Sequence, residues 1–549
     1  MAMTHAAGHL EARDAGRPMA LLAGAGWPLI VFIWAIFAAL MAYDGFSNVL
    51  NVLSTDDAMR LAEVRDLLGG QSWWDLTQHR LNPPDGVIMH WSRVIDLPIA
   101  AILLVTGRLF QPDVALKVML TLWPLLLLLP TLFAAASASR SVAGPQAGVL
   151  GAFLLIMSPG VTTRFSPGAI DHHGAQVALA LGLLACALKL DRSAKAAVGA
   201  GLCAALMMAI GMETAPHVAA CAALIAIRWA VEGAPVARGA RLFGASFAAA
   251  TAFVAVTTLS PESWMAPVCD TLGLGHLVIA ALGGLGLAAA TRFAADGPAA
   301  RFAALAQVGV AVIVGLLISA PNCLSSPYGF LPERLQTEWL ARVQEAQPFF
   351  SWLREDPTSG LGIGLPLLAA VAVAVWAVLR AEPARRWPVL TAAAMFGASL
   401  AVSAWQIRGL SLAFAMAAPL IPAAVLAIGR TGGDRVRTML AVVALSPAAL
   451  ALVGLGIASA VGLPPVDASL QVKKFCPNAD YRALAALPKG LALNTTDTGP
   501  YVIAFSPLSV VAAPYHRNVD GLMAELEGFT GSDEAARAIA VSRGAASVV

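Results

Sequence analysis

Three short polar clusters interrupt a chain that is otherwise strongly apolar. Ser54-Thr55-Asp56-Asp57-Ala58-Met59-Arg60 sets two adjacent carboxylates behind a hydroxyl pair, and Arg164 precedes Asp171-His172-His173 by seven residues. A third acid, Glu345, sits in Arg342-Val343-Gln344-Glu345-Ala346-Gln347-Pro348. Carboxylates supplemented by an imidazole suit a hard or borderline divalent cation such as Mg²⁺ or Mn²⁺. Arg164 offers a planar fork that fits a carboxylate or a donor oxygen, or it is an interfacial anchor. Each cluster also has a plainer reading. An Asp pair at a helix start caps it, and Glu345 beside Arg342 is an ordinary solvated pair. Their weight depends on where the chain places them.

Of 549 residues, 58% are hydrophobic and 12% charged, against roughly a quarter charged in an ordinary soluble domain. The mean hydropathy is +0.74. A soluble enzyme of the usual kind is excluded. Apolar runs at Leu22–Ala42, Val118–Ala136, Ala303–Ala320, Gly360–Leu379 and Met439–Val461 are long enough, or nearly so, to cross a hydrocarbon core of about 30 Å. The alternation of a membrane barrel is missing. The expectation is a mainly α, polytopic helical membrane protein. The net charge of +2 comes from scattered Lys and Arg, which argues against a nucleic-acid partner. Cys186, Cys203 and Cys221 lie in apolar segments, while Cys269, Cys323 and Cys476 fall in loops. With no CxxC pair, no disulfide is assigned.

Positive charge orders the loops. Arg13 and Arg17 place the N-terminus, residues 1–19, in the cytoplasm as a retained leader to the first span. Leu97–Phe110 is short for a crossing and contains Gly107 and Arg108, so it reads as interfacial or re-entrant. Skipping it puts Arg140, Lys189/Arg192/Lys195, Arg228/Arg238/Arg241, Arg292/Arg301, Arg380/Arg385/Arg386 and Arg430/Arg435/Arg437 on the cytoplasmic side. Residues 20–462 then form a transmembrane domain of about thirteen crossings. External segments are Tyr43–Lys117, Arg164–Gly174, Gly211–Pro216, Pro261–Gly275, Pro321–Ser359 and Trp405–Gly409. All three polar clusters share that face.

The tail, residues 463–549, is less apolar and reads as a small extracytoplasmic α/β domain. Strands are expected at Gly490–Thr495, Tyr501–Phe505 and Ser509–Pro514, and helices at Gly521–Leu526 and Asp533–Ser542. Ala545–Val549 looks like the start of a further strand, so a truncated domain is expected. Tyr515-His516-Arg517-Asn518 is a dense polar cluster suited to an acceptor or a donor head group, or to an ordinary strand-end loop. Asn494-Thr495-Thr496 spells a glycosylation sequon. Glu213 and His217 stand at an external span end. The aromatics Trp339, Phe349, Phe350 and Trp352 of the long fifth loop suit lipid, sugar or the membrane surface.

This arrangement resembles the catalytic subunit of oligosaccharyltransferase, of the archaeal and bacterial type, within the GT-C superfamily of membrane glycosyltransferases. Asp56 matches the family's first-loop aspartate, and Asp171-His172-His173 looks like the Asp-His-His form of archaeal members, with an arginine upstream like Arg164. Val343-Gln344-Glu345-Ala346-Gln347-Pro348 resembles the fifth-loop Glu-x-x-Pro motif. Arg408, in Gln-Ile-Arg-Gly-Leu-Ser-Leu-Ala-Phe, looks like the arginine that binds the lipid-linked phosphate. The tail departs from the family. Leu463–Val549 has no tryptophan where a Trp-Trp-Asp sequon reader belongs, and Trp73-Trp74-Asp75 spells those letters in the first loop instead.

The resemblance implies a metal-dependent transferase moving a sugar or oligosaccharide from a polyprenyl phosphate or pyrophosphate. The acceptor is a glycan, lipid or protein at the outer face of the cytoplasmic (inner) membrane. Asp56, Asp171, His173 and Glu345 are the expected metal ligands. Arg164, Arg408 and His172 are expected at the donor, and Asp56, Asp57 and Glu345 at the chemistry. A monosaccharide transferase acting on lipid A or another glycolipid is the alternative within the class. A lipid or solute transporter is the alternative outside it, although transporters keep their ionisable groups near the midplane and in repeats.

Overall fold

The structure, a computed structural model, describes residues 26–324, 328–430, 435–464 and 481–549. The expected cytoplasmic N-terminus with Arg13 and Arg17, and Cys476, lie outside these residues. Among the described residues nine helices are long and apolar enough to cross a membrane, beginning with Gly26–Gly45 and Pro112–Ala143. Two further pairs, Ala147–Ile156 with Pro159–Phe165 and Val436–Ala444 with Pro447–Ala460, are bent by 74° and 59°. Both breaks have a cause in the sequence. Pro159 and Pro447 stand at helix starts, where proline cannot donate to the preceding turn. His173–Ala187 and Ala194–Ile210 are shorter apolar helices. Most of these elements share one large core of Ala, Leu and Val, with Phe243 and Phe396 fully enclosed. Its small residues let helix backbones approach closely, as packing inside a bilayer requires.

The segment expected to lie in the interface is the helix Arg93–Leu109, with Pro98 inside it, and it is not among the long apolar spans. Three of the basic residues assigned to one face lie against the ends of neighbouring helices. Arg140 lies over the Trp27 ring at 4.6 Å, Arg228 pairs with Asp191 at 2.8 Å, and Arg241 donates to the Thr291 carbonyl at 3.1 Å. The acidic and histidine clusters lie at the opposite helix ends.

In the first loop, the helix Thr55–Leu68 opens on a capping box: Asp57 N donates to Ser54 Oγ, and Asp57 Oδ2 accepts from Ser54 N. A two-stranded ribbon follows, β1 (Thr77–Gln78) and β2 (Val87–Ile88), antiparallel. The tail folds onto this loop. Ala58, Met59, Leu81 and Trp91 share one core with Val502, Val510 and Tyr515, and Arg80 donates to the carbonyls of Ile503 and Ser506.

The tail holds β3 (Leu491–Leu493), β4 (Ser509–Val510) and β5 (Ala545–Val548) in a parallel sheet of order β4-β3-β5. Helices Val519–Thr530 and Asp533–Arg543 lie where periodicity put them. Tyr501–Phe505, expected as a strand, belongs instead to a helix, Gly499–Phe505. Pro500 at its first turn presets the helical φ, and the apolar face packs on the first-loop helix. The sequon is closed off: the Asn494 side chain is fully buried and donates to the carbonyls of Thr495 and Ala512. The loop cysteines give a second correction. Cys269 and Cys323 form a disulfide across a sequence separation of 54, a pairing that no local spacing encodes, and it fastens the fourth loop to the start of the fifth.

Arg60 is 1% exposed and donates to Asp96 at 2.7 Å beneath the ring of Trp91. Removing one member of a buried pair leaves the other uncompensated. Arg60→Met is therefore expected to cost about 3 kcal/mol, read as a fall in the melting temperature of detergent-solubilised protein. A shift no larger than that of Arg334→Met, at a partly exposed helical pair, would contradict this placement.

Candidate active site

Asp57 builds the site without sitting at its reactive centre. Its Oδ2 accepts from Ser54, and its Oδ1 accepts from Ile170 N at 2.7 Å and Asp171 N at 2.9 Å. Both oxygens accept hydrogen bonds, so Asp57, expected at the chemistry, also ties the first-loop helix to the second loop. Through those bonds the first-loop helix carries the second loop. Asp171 then caps the next helix, its Oδ1 accepting from His173 N at 2.9 Å. Tyr501 and Tyr515 of the tail hold the same point from the other side, donating to the carbonyls of Leu53 and Thr55.

Asp56 stands at the start of that helix, where exposed amides favour negative charge. It forms no hydrogen bond to protein among the described residues. Burial, then the charges of Glu345 and Asp171, push its carboxyl up to about 7. His173 Nε2 lies 3.9 Å from Asp171 Oδ2 and 3.8 Å from Glu345 Oε2. Arg164 reaches Glu345 at 3.6 Å. The fifth loop is seated by its backbone: Ile407 N donates to Gln347 O at 2.9 Å, which brings the Glu345 segment beside Arg408. Thus five of the expected residues, Asp56, Arg164, Asp171, His173 and Glu345, converge from three loops.

His172 and Arg408 meet through a residue that carried little signal in the sequence. Arg408 Nη1 and His172 Nε2 face the same oxygen, Glu213 Oε1, at 3.3 and 3.7 Å. Gln176 donates to Glu213 Oε2 at 2.9 Å, and its own Oε1 lies 3.2 Å from His173 Nδ1. Sequence reasoning missed Gln176. Its signal was the i, i+3 spacing from His173 on one helix face. Gly211 leaves the room, because a Cβ there would collide with Gln176 and Glu213. His217 is not at the site; its Nε2 is 2.7 Å from Ser399 Oγ inside the helix bundle. Trp73 is structural, donating to the Thr257 carbonyl at 2.6 Å.

Three carboxylates and one imidazole, with Asp56 accepting from no protein donor among the described residues, form a donor set that suits an oxygen-preferring divalent cation. The set is open: its members do not all come within mutual ligating distance. Among the described residues the three-ligand group whose atoms all lie within 4.8 Å of one another is elsewhere, at His90, Asp270 and His516.

Neither a family model nor a curated protein sequence matches the chain. Solved structures do. Archaeal oligosaccharyltransferase AglB from Archaeoglobus fulgidus, in complex with an inhibitory peptide and a dolichol-phosphate, aligns with TM-score 0.67 and 14% identity over 94% of this chain and 68% of that one. The apo form of the Archaeoglobus fulgidus enzyme aligns at 0.68 and 14%, covering 95% and 69%. Its complex with Zn and sulfate aligns at 0.59 and 14%, covering 93% and 67%.

An unfolded aspartate titrates near 3.8 whereas folded Asp56 holds its proton to about 7. Between those values the folded state binds the extra proton, so metal-free protein loses stability as pH rises. Melting in EDTA is expected to fall across that window more steeply for wild type than for Asp56→Asn, and Mn²⁺ at neutral pH to restore it. Parallel curves would refute the assignment. Taken together, the long apolar helices and these alignments make the chain an integral membrane protein with the GT-C fold of oligosaccharyltransferase.

Proposed function

We propose that the chain is a glycosyltransferase that moves a sugar or oligosaccharide from a polyprenyl phosphate or pyrophosphate to an acceptor at the outer face of the membrane. The observation that carries this is the convergence of Asp56, Asp171, His173 and Glu345 at one end of an apolar bundle, beside Arg164 and Arg408. A polyprenyl donor stays in the bilayer, so its phosphate emerges where helices end. A bundle end lined by acids and arginines suits that substrate better than it suits a transporter, whose ionisable groups lie at the midplane. Support also comes from the structural relatives, solved with dolichol-phosphate, with a peptide containing an NVT sequon, and with Zn and sulfate. Thirteen crossings follow if each bent pair and each short apolar helix spans the bilayer.

In this reading Arg408, held by Glu213, binds the leaving phosphate with charge-assisted hydrogen bonds. His172 shares Glu213 and faces the same group. Arg164 keeps Glu345 turned toward His173. Asp56, Asp171, His173 and Glu345 would hold a divalent ion, Mg²⁺ or Mn²⁺, which when bound would supply positive charge to the leaving phosphate. Asp56 receives the proton of a hydroxyl acceptor, or with Glu345 holds the nitrogen of an amide one. The fifth loop, which delivers Glu345 and begins and ends at spans, closes over bound substrate.

Transfer of labelled sugar from a lipid donor, assayed with Mn²⁺, is expected to drop about 10²–10³-fold in Asp56→Ala and in Glu345→Ala. Arg408→Ala is expected to lose rate together with donor affinity. Undiminished transfer in both acid variants would sink the assignment, and donor flipping in proteoliposomes without covalent product would turn it toward transport.

A further inference from the structure

His90 of the first loop, Asp270 of the fourth and His516 of the tail stand apart from the cluster above, and no expected role used them as a set. One ring nitrogen of each histidine and a carboxylate oxygen of Asp270 lie within 4.8 Å of one another. The two imidazole centroids are 4.7 Å apart, and His516 Nε2 is 2.7 Å from Asp270 Oδ2. Arg517 grips the same carboxylate, Nε to Oδ2 and Nη2 to Oδ1, both at 2.7 Å. A second, independent observation points to a ligand: Nδ1 of His90 is buried with no hydrogen-bond partner. A buried nitrogen left without a partner carries a desolvation cost that an ion or a bound group removes.

We propose that His90, Asp270 and His516 form a second divalent-metal site, selective for zinc-class ions. Two imidazoles and one carboxylate are a donor set that zinc accepts, with a fourth position left for water. The all-oxygen preference of Mg²⁺ keeps that ion out. On binding, the ion takes the place of the His516 proton at Asp270 Oδ2. Arg517 Nη2 stays on Oδ1 and fixes the carboxylate's orientation, as outer partners of metal ligands do.

The site ties the fourth loop to the first loop and the tail, two segments already joined by backbone hydrogen bonds between Arg80, Asn82 and Val510. Asp270 neighbours Cys269, whose disulfide partner Cys323 begins the fifth loop. Tyr328 and Phe330 of that loop pack edgewise on the His516 ring at 5.7 and 6.0 Å. Trp91, next to His90, comes within 6.1 Å of the His172 ring. A bound ion therefore stiffens the support of the active site without touching it. The inference is independent of the transferase assignment.

The test is metal counting on the full chain in detergent, stripped with EDTA, dialysed against Zn²⁺ and washed before mass spectrometry. His90→Gln and His516→Gln are each expected to hold one equivalent of zinc less than wild type, whereas Glu345→Ala keeps that equivalent. Zinc-edge absorption on the Glu345→Ala protein should show two imidazole ligands, a readout that does not depend on how the histidine variants fold. Equal zinc content in wild type and both histidine variants, or a Glu345→Ala protein that binds none, overturns the proposal.

Discussion

The carboxylate of Asp57 sits between two loops that are more than a hundred residues apart in sequence, and it satisfies donors from both. One oxygen closes the cap of the Thr55–Leu68 helix, and the other receives two amides of the Ile170-Asp171 turn. Loop backbone buried against protein needs such partners. Losing them frees two amides and a helix end together. Asp56 and Asp171 are each adjacent in sequence to an atom of this junction, so their separation is set by it. The tail adds to the same point through Tyr501 and Tyr515, and its core merges with that of the first loop. What read as an appended domain is therefore part of the scaffold that aims the first aspartate.

Around that junction charge is sorted. Acids and His173 face one another on one side, while Arg408 and His172 share Glu213 on the other, and Gln176 bridges the two through His173 and Glu213. In the proposed reading this sorting gives an anionic leaving group and a cation adjacent places. Asp56, which has no hydrogen bond to protein among the described residues, is one of the acids expected at the chemistry. Buried polar networks of this kind work only when each member has its partner, and a Cβ at Gly211 would press on the ends of the Gln176 and Glu213 side chains.

The sequence carried the membrane class and the polar clusters well, because both are local signals. Long apolar runs and the Asp171-His172-His173 triplet need no knowledge of distant contacts, whereas the Met439–Val461 run, read as continuous, is bent by 59° ahead of Pro447. Tyr501–Phe505 misled because a five-residue apolar run with a tyrosine fits either period, and Pro500 just before it was the better guide. The Cys269–Cys323 bond and the His90, Asp270 and His516 group were illegible for a different reason. Each joins single residues from loops whose meeting is decided by how the helices between them pack. Glu213 lay between these cases: its position at a span end was visible, but its link to Arg408 spans 195 residues.

Manganese anomalous scattering from crystals grown with Mn²⁺ and a polyprenyl monophosphate would test the central claim most directly. The account predicts one ion bounded by Asp56, Asp171, His173 and Glu345, with the lipid phosphate within hydrogen-bonding reach of Arg408. Absence of manganese among those four residues, with the phosphate bound away from Arg408, would contradict it.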